Sequence, residues 1–270
     1  MSPEALARRG AALLGGDLAS ARRLPGGDLS VCLLIRLADG REAVVKSGPD
    51  PRAEAAMLAA IAATGAPAPA MLACDAAVLA LEVLPDTGAA AGAAADLGRA
   101  VARLHAATAE RYGWPTDYAF GSVIIENAGS DDWPAFWGER RLLCHAGHLP
   151  RALMRRLERL AADLGSRLPA RPRPALLHGD LWGGNVLTAG ARVAGLIDPA
   201  CYHGHAEVDL AMLSLFGRPG PGFREAYGGS EPGEAERAPI YTLWPALVHL
   251  RLFGTGYQGL VEGLLDEAGV

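Results

Sequence analysis

The pattern of apolar and polar positions changes character near residue 85 of this chain. Before it, the apolar residues come mostly in short extended runs. Residues 31–37 and 42–46 are apolar or alternating runs joined by Asp39-Gly40, a strong hairpin signal. Residues 23–31 place the pair Gly26-Gly27 between two extended segments, so a three-strand meander is expected with a glycine turn at its first corner. Further apolar runs at 71–74 and 77–84 bring the expected sheet to five strands. Two helices accompany them. Ser2-Pro3-Glu4 opens a short one with Leu6, Leu13 and Leu14 on its apolar side, and Asp50-Pro51 opens one reaching residue 63. In the second, Glu54, Met57, Leu58 and Ile61 fall at helical spacing on one face, so a carboxylate stands on an apolar stripe.

Beyond Pro85-Asp86-Thr87-Gly88 the period becomes helical. Leu97, Val101, Leu104 and Thr108 mark a helix over 93–110, with His105 on the same side as a core histidine. Residues 112–132 read as an irregular loop of the kind that often binds ligands. Trp133-Pro134 opens a helix to about 146, and Leu153, Leu157, Leu160 and Leu164 line another. A Gly/Pro-rich loop over 217–233 precedes two apolar helices, about 239–253 and 257–268. The fold class is therefore α+β, with a sheet lobe over 1–84, a linker over 85–92 and a mainly helical lobe over 93–270. No internal repeat is visible.

Composition narrows the partners. The 270 residues carry a net charge of −5 and half of them are hydrophobic. No basic stripe suggests nucleic acid, no run is long and apolar enough to span a bilayer, and the start lacks a secretory pattern. Cys32, Cys74, Cys144 and Cys201 are scattered, so they read as reduced thiols of a cytoplasmic protein. A monomer is expected, with a dimer as the alternative. Of the 25 basic residues 24 are Arg, and the single lysine is Lys46. A lysine kept in so Arg-rich a chain suggests a need for a compact ammonium.

The candidate chemistry lies at His178-Gly179-Asp180-Leu181-Trp182-Gly183-Gly184-Asn185, with Leu196-Ile197-Asp198 shortly after. Between Asn185 and Asp198 the chain reads as a hairpin, which returns Asp198 beside Asn185. Two carboxylates and a carboxamide oxygen at one end of a hairpin suit Mg²⁺, a hard cation that completes its shell with water and phosphate oxygens. The spacing is that of the protein-kinase catalytic loop H-R-D-x-x-x-x-N, with Gly for Arg and Ile-Asp-Pro-Ala in place of D-F-G. On that parallel Asp180 is the base, Asn185 and Asp198 hold the metal, and Lys46 in Val44-Val45-Lys46 holds the ATP phosphates under Gly26-Gly27. Glu54 is the partner that orients Lys46. Glu82-Val83-Leu84 is the hinge whose backbone reads the adenine edge. Asp209 braces the catalytic loop through backbone N–H groups. His203, His205 and Glu207 suit a loop and helix start better than a metal cage.

Several stretches resemble one family in particular. They are His178 to Asn185, Leu196 to Gly204, Glu207-Val-Asp-Leu-Ala211 with Leu215-Phe-Gly217, and His249-Leu-Arg-Leu-Phe-Gly254, with weaker support from Asp132-Trp133 and Glu139-Arg-Arg-Leu142. Together they look like the fructosamine kinase (ketosamine-3-kinase) family, over nearly the whole chain. The resemblance implies a two-lobed protein-kinase-like fold and ATP-dependent phosphorylation of the sugar 3-hydroxyl of ketosamines, with Trp182 against the sugar. It also implies a redox role for a cysteine near the glycine turn, where Cys32 stands. The segment Gly121-Ser122-Val123-Ile124-Ile125 departs from the family's pattern in the loop that contacts sugar. Two alternatives stand beside this reading: an aminoglycoside- or choline-type kinase, and a non-catalytic nucleotide-binding module.

Overall fold

The computed structural model describes residues 1–25, 31–88 and 90–270, so the turn expected at Gly26 and Gly27 lies outside the described residues. Helix α1 (Pro3–Leu13) starts where Ser2 Oγ accepts from the Ala5 N–H. It lays Leu6, Ala7 and Ala11 on the buried side of strands β1 (Leu18–Arg23), β2 (Val31–Leu37) and β3 (Glu42–Ser47). Helix α2 (Pro51–Ala63) follows, its first turn capped by the Asp50 carboxylate on Arg52 and Ala53 N–H. Strands β4 (Met71–Cys74) and β5 (Leu79–Leu81) complete an antiparallel sheet of order β1-β2-β3-β5-β4. Strand β5 is shorter than the expected 77–84. At its start the Asp75 carboxylate accepts from Ala77 and Val78 N–H and makes a turn there.

Helix α2 has two apolar sides with different partners. Ala55 and Leu58 pack on Leu79 and Leu81 of the sheet, whereas Met57 and Ile61 join the core of the helical lobe. Met57 Sδ also receives the Cys201 N–H at 3.3 Å. The position of α2, and with it Glu54, is thereby tied to both lobes.

The helical lobe begins with α3 (Ala94–Ala106), which stops short of the expected residue 110. The chain leaves the helix to pair with β8: Leu176 N–H donates to Ala107 O and Thr108 bridges Ala175. The stretch 112–132 is not irregular throughout, since β6 (Tyr118–Phe120) and β7 (Val123–Ile125) form a hairpin around Gly121-Ser122. The helix expected over 133–146 is α4 (Trp133–Trp137) followed by a π turn over Gly138–Leu142 and a 3₁₀ turn over Leu143–His145. That widened turn accompanies a fully buried Arg141, whose guanidinium lies over the rings of Tyr202, Phe136 and Trp244 and donates to Asn127 Oδ1 and Glu126 O.

Helix α5 (Arg151–Arg167) leads to β8 (Ala175–Leu177), then the hairpin β9 (Val186–Ala189) and β10 (Arg192–Leu196), and β11 (Tyr202–Gly204), which pairs with β8. Helix α6 (Glu207–Leu215) follows. The Gly/Pro-rich stretch 217–233 contains α7 (Phe223–Tyr227), which the turn-residue composition hides. Helices α8 (Glu234–Phe253) and α9 (Gln258–Glu267) complete the lobe. None of the described helices is long and apolar enough to cross a membrane.

His145 illustrates how this core responds to acid. It is fully buried, lies tilted against the Trp244 ring and accepts from the Arg251 guanidinium at 3.4 Å. Burial, aided by the Arg251 charge, pulls its pKa down to about 3. The folded value lies below the ordinary imidazole value near 6.5. The unfolded chain therefore binds a proton that the folded chain refuses, and stability falls as pH drops from about 6.5 toward 3. Glu54 and Asp180, both pushed upward, act with the opposite sign. The comparison of His145→Gln with the parent isolates the histidine: the variant is expected to lose less Tm between pH 7.5 and 4.5. Equal losses would show that His145 is not a main acid-sensitive group.

Candidate active site

Strand β8 delivers the chain to His178, and the turn after it sets the site. Gly179 has φ +79°, and a Cβ there would lie 2.0 Å from the Ala200 carbonyl oxygen. Only glycine fits where the kinase loop commonly has Arg. Gly179→Ala is expected to cost at least about 3 kcal/mol, read as a fall in Tm of about 6 °C or more. Parental Tm and turnover would show that this contact does not constrain the loop.

The backbone around this turn is held by Asp209 from the start of α6. Its carboxylate accepts from His178 N–H at 2.7 Å and Gly179 N–H at 3.0 Å. His105 Nε2 donates to it at 3.1 Å, while His105 Nδ1 accepts from Tyr227 O–H at 2.9 Å. Burial alone would raise the Asp209 pKa, but the His105 hydrogen bond and the surrounding donors outweigh it and hold the carboxylate ionised. His105 is thus the core histidine expected, and Asp209 the expected brace. Tyr227, on the unexpected helix α7, completes the chain of bonds.

Asp180 follows directly on this turn. Asn185 spends its amide donors on Asp180, one bond reaching Oδ2 at 3.0 Å and one the backbone oxygen at 2.8 Å. The Asn185 side-chain oxygen is left without a protein donor among these bonds. Burial pushes the Asp180 pKa up to about 7; the Asn185 bond opposes this, while the Asp198 and Asp209 charges add to it. A carboxylate in that range suits a general base.

The β9–β10 hairpin returns the chain as expected, and Ile197 N–H donates to Asn185 O at 3.0 Å. Asp198 then adopts φ +55°, the one non-glycine in that region among the described residues. Such a conformation costs about 1–2 kcal/mol. Lys46 Nζ reaches Asp198 Oδ1 at 2.5 Å and Glu54 Oε1 at 2.8 Å. The Lys46 and Glu54 side chains are 6% and 2% exposed, whereas that of Asp198 is 39% exposed. Burial alone would lower the Lys46 pKa, but the Glu54 and Asp198 carboxylates outweigh it and keep the ammonium charged.

The other described candidates, Glu82, Val83, Leu84, Trp182 and Cys32, have local partners of their own. Glu82 commits its N–H to Ala70 O and its carboxylate to Ala70 N–H. Val83 is exposed, and Leu84 packs on the backbone of Gly195 beside the hairpin. The linker is fastened to the same hairpin: Thr87 N–H donates to Thr188 O at 2.7 Å, and Gly190 N–H to Thr87 Oγ1 at 3.1 Å. That strap was not visible in the sequence, because a Thr after Pro-Asp reads only as a turn. Trp182 lays its ring over Gly184, where an added Cβ would fall within 2.2 Å of it. Cys32 pairs with Lys46 across β2 and β3, and burial pushes its thiol up to about 11. At neutral pH it is a thiol rather than the reactive thiolate, which argues against the redox role.

The donors match a hard cation. The free oxygen of Asn185 and the accessible carboxylate of Asp198 are oxygen ligands of the kind Mg²⁺ takes alongside phosphate. His205, Glu207 and Glu231 also bring ligand atoms within 4.8 Å of one another. Arg237 already grips both oxygens of Glu207, so that group is read as an ion-paired network.

The fructosamine kinase family model matches residues 13–268. The chain belongs to the fructosamine kinase family. A Synechocystis protein described as a probable ketoamine kinase is 37% identical over 186 residues, 63% of this chain and 60% of that protein's length. The chloroplastic protein-ribulosamine 3-kinase of Arabidopsis thaliana is 34% identical over 193 residues, 67% of this chain and 59% of its own length. These alignments thus span about three fifths of each relative. The crystal structure of a Thermobifida fusca protein described as a "putative fructosamine-3-kinase" superimposes with a TM-score of 0.88 at 32% identity, covering 99% of both chains. A macrolide 2'-phosphotransferase from Brachybacterium faecium shares the fold, with a TM-score of 0.64 at 23% identity. The two-lobed kinase-like architecture of this family member is therefore shared well beyond its own family.

Proposed function

We propose that this fructosamine kinase family member transfers the γ-phosphoryl group of ATP to the 3-hydroxyl of the sugar in ketosamines. The observation that carries the phosphotransfer is Lys46, held between Glu54 of its own lobe and Asp198 of the other, with Asp180 near enough to feel the Asp198 charge. The choice of ketosamines rests on the family and on the names borne by its relatives. In this reading residues 1–84 form the ATP lobe, 85–92 the linker and 93–270 the catalytic lobe.

ATP would supply the phosphoryl group, and Asn185 and Asp198 would hold a Mg²⁺ ion, whose charge would neutralise that of the phosphates. Lys46, set by Glu54, presents its ammonium to the phosphates. The backbone of Glu82, Val83 and Leu84 borders the adenine. Asp180 accepts the proton of the attacking hydroxyl at its carboxylate, and Asn185 fixes that carboxylate's orientation. Trp182 bounds the sugar. A loose phosphoryl-transfer transition state needs positioning and charge neutralisation above all, and these groups provide both. The four cysteines stand as free thiols, which fits a reducing compartment such as the cytoplasm.

ADP release with ribuloselysine, fructoselysine and an aminoglycoside side by side tests the reading. Turnover of the ketosamines is the expected result. Turnover of the aminoglycoside alone would move the protein to the antibiotic-kinase branch, and no turnover with any would favour the non-catalytic module.

A further inference from the structure

Among the described residues three Trp and Phe side chains are exposed: Trp182 at 37%, Phe216 at 46% and Phe253 at 45%. They come from separate parts of the chain yet belong to one connected set. The Trp182 and Phe216 centroids are 5.9 Å apart at 72°, and Phe216 lies 5.0 Å from His249. His249 in turn contacts Phe253 at 5.4 Å and Tyr257 at 5.1 Å. The set begins two residues after Asp180 and runs outward from the catalytic turn. Trp182 is fixed in it by its seat on Gly184.

The shelf carries no fixed cation. None of the ion pairs among the described residues involves its rings, and Arg251, on the same helix as His249, is turned to His145. His249 Nδ1 donates to Pro245 O, which orients its ring from behind. What the shelf offers is the electron-rich faces of aromatic rings, roughly at right angles where Trp182 meets Phe216. Such walls attract an organic cation and cover its methylene groups.

A ketosamine has a cation in the matching place. Its secondary amine sits on C1, a few bonds from the 3-hydroxyl, and is protonated at neutral pH. With that hydroxyl at Asp180, an amine and alkyl stem directed toward Trp182, two residues on, would meet Phe216 next. We propose that Phe216 and Phe253, continuing from Trp182, form the amine subsite, taking the protonated amine and alkyl stem of the ketosamine by cation–π and apolar contact. This rests on the ketosamine reading above and adds the residues that select for the amine.

The test is steady-state kinetics on the full-length protein and its Phe216→Leu, Phe216→Tyr and Phe253→Leu variants, with Tm confirming the fold. The substrates are fructoselysine, its N-acetylated neutral analogue, and a short peptide carrying the same glycated lysine. Phe216→Leu is expected to raise KM for fructoselysine and the peptide alike by about three- to thirtyfold. The neutral analogue should change far less, and KM for ATP by less than about twofold. Phe216→Tyr should keep the parental preference for the cation, and Phe253→Leu should show a smaller loss of the same kind. An unchanged KM, or equal losses on the charged and neutral substrates, would overturn the proposal. A loss confined to the peptide would instead make the shelf a docking face for polypeptide, and would overturn it too. If the parent turns over none of these substrates, the ketosamine reading itself is what falls, and the subsite with it.

Discussion

Asp180→Asn is expected to lower kcat by about 10³-fold, the scale on which a positioned general base contributes, while KM for ATP stays within about twofold. The reason lies in how the two halves of the cleft divide the work. The phosphates are assigned to Lys46, Asn185 and Asp198, and none of these is altered by the change. Asn185 keeps its bond to the backbone oxygen of residue 180, so the turn is preserved. The variant loses only the carboxylate that takes the hydroxyl proton. Its stability should move the other way. Burial, with Asp198 and Asp209 nearby, raises the Asp180 pKa to about 7, so above that pH the ionised group opposes folding. A neutral amide removes this cost, and Tm at pH 8 should equal or exceed that of the parent. Groups arranged for chemistry are often unfavourable for stability in this way. Parental turnover in Asp180→Asn would remove Asp180 from the mechanism. Lost turnover together with a large fall in Tm would make it a structural residue.

The second large effect is expected at Lys46. Lys46→Met keeps the length of the side chain but deletes the ammonium, leaving the almost wholly buried Glu54 carboxylate without its cation. Removing one member of a buried pair costs about 3–5 kcal/mol, which for a chain of this size is a fall in Tm of about 6–20 °C. Turnover should fall to near background, because no arginine or other cation stands at this point of the cleft among the described contacts of Glu54 and Asp198. The double variant Lys46→Met/Glu54→Gln separates the two roles. It leaves no charge buried at Glu54, so most of the lost Tm should return while turnover does not. If activity returned along with stability, Lys46 would be a structural ion-pair partner and the phosphates would need another cation. Thermal scans and ADP release on the three proteins decide between these outcomes.

The fold was legible wherever a local rule governs it. The Asp39-Gly40 hairpin and the Asp50 cap each follow from a few neighbouring residues, and both lie where their residues placed them. The elements that escaped were those made by contacts distant in sequence. Helix α3 ends at Ala106 because the next residues pair with β8, some seventy positions later. Helix α7 hides in a glycine-rich stretch that only its packing on α3 makes helical. The π turn around Arg141 answers to a cage of rings drawn from three other elements.

The candidate site divides along the same line. Residue type and spacing named Asp180, Asn185 and Asp198, because a hairpin returns its two ends to one place whatever surrounds it. The rarity of lysine singled out Lys46, and its place on an apolar stripe singled out Glu54. Chain order alone could not show that Lys46 and Asp198, 152 residues apart, meet at 2.5 Å, since that contact depends on two lobes closing on α2. Nor could it show that the Asp180 carboxylate is held near pKa 7, or that Phe216 and Phe253 continue the ring of Trp182. Donors, acceptors and backbone permissions are written locally in the chain. Distances, burial and the resulting charge states belong to the packed molecule, because they are set by neighbours that folding supplies.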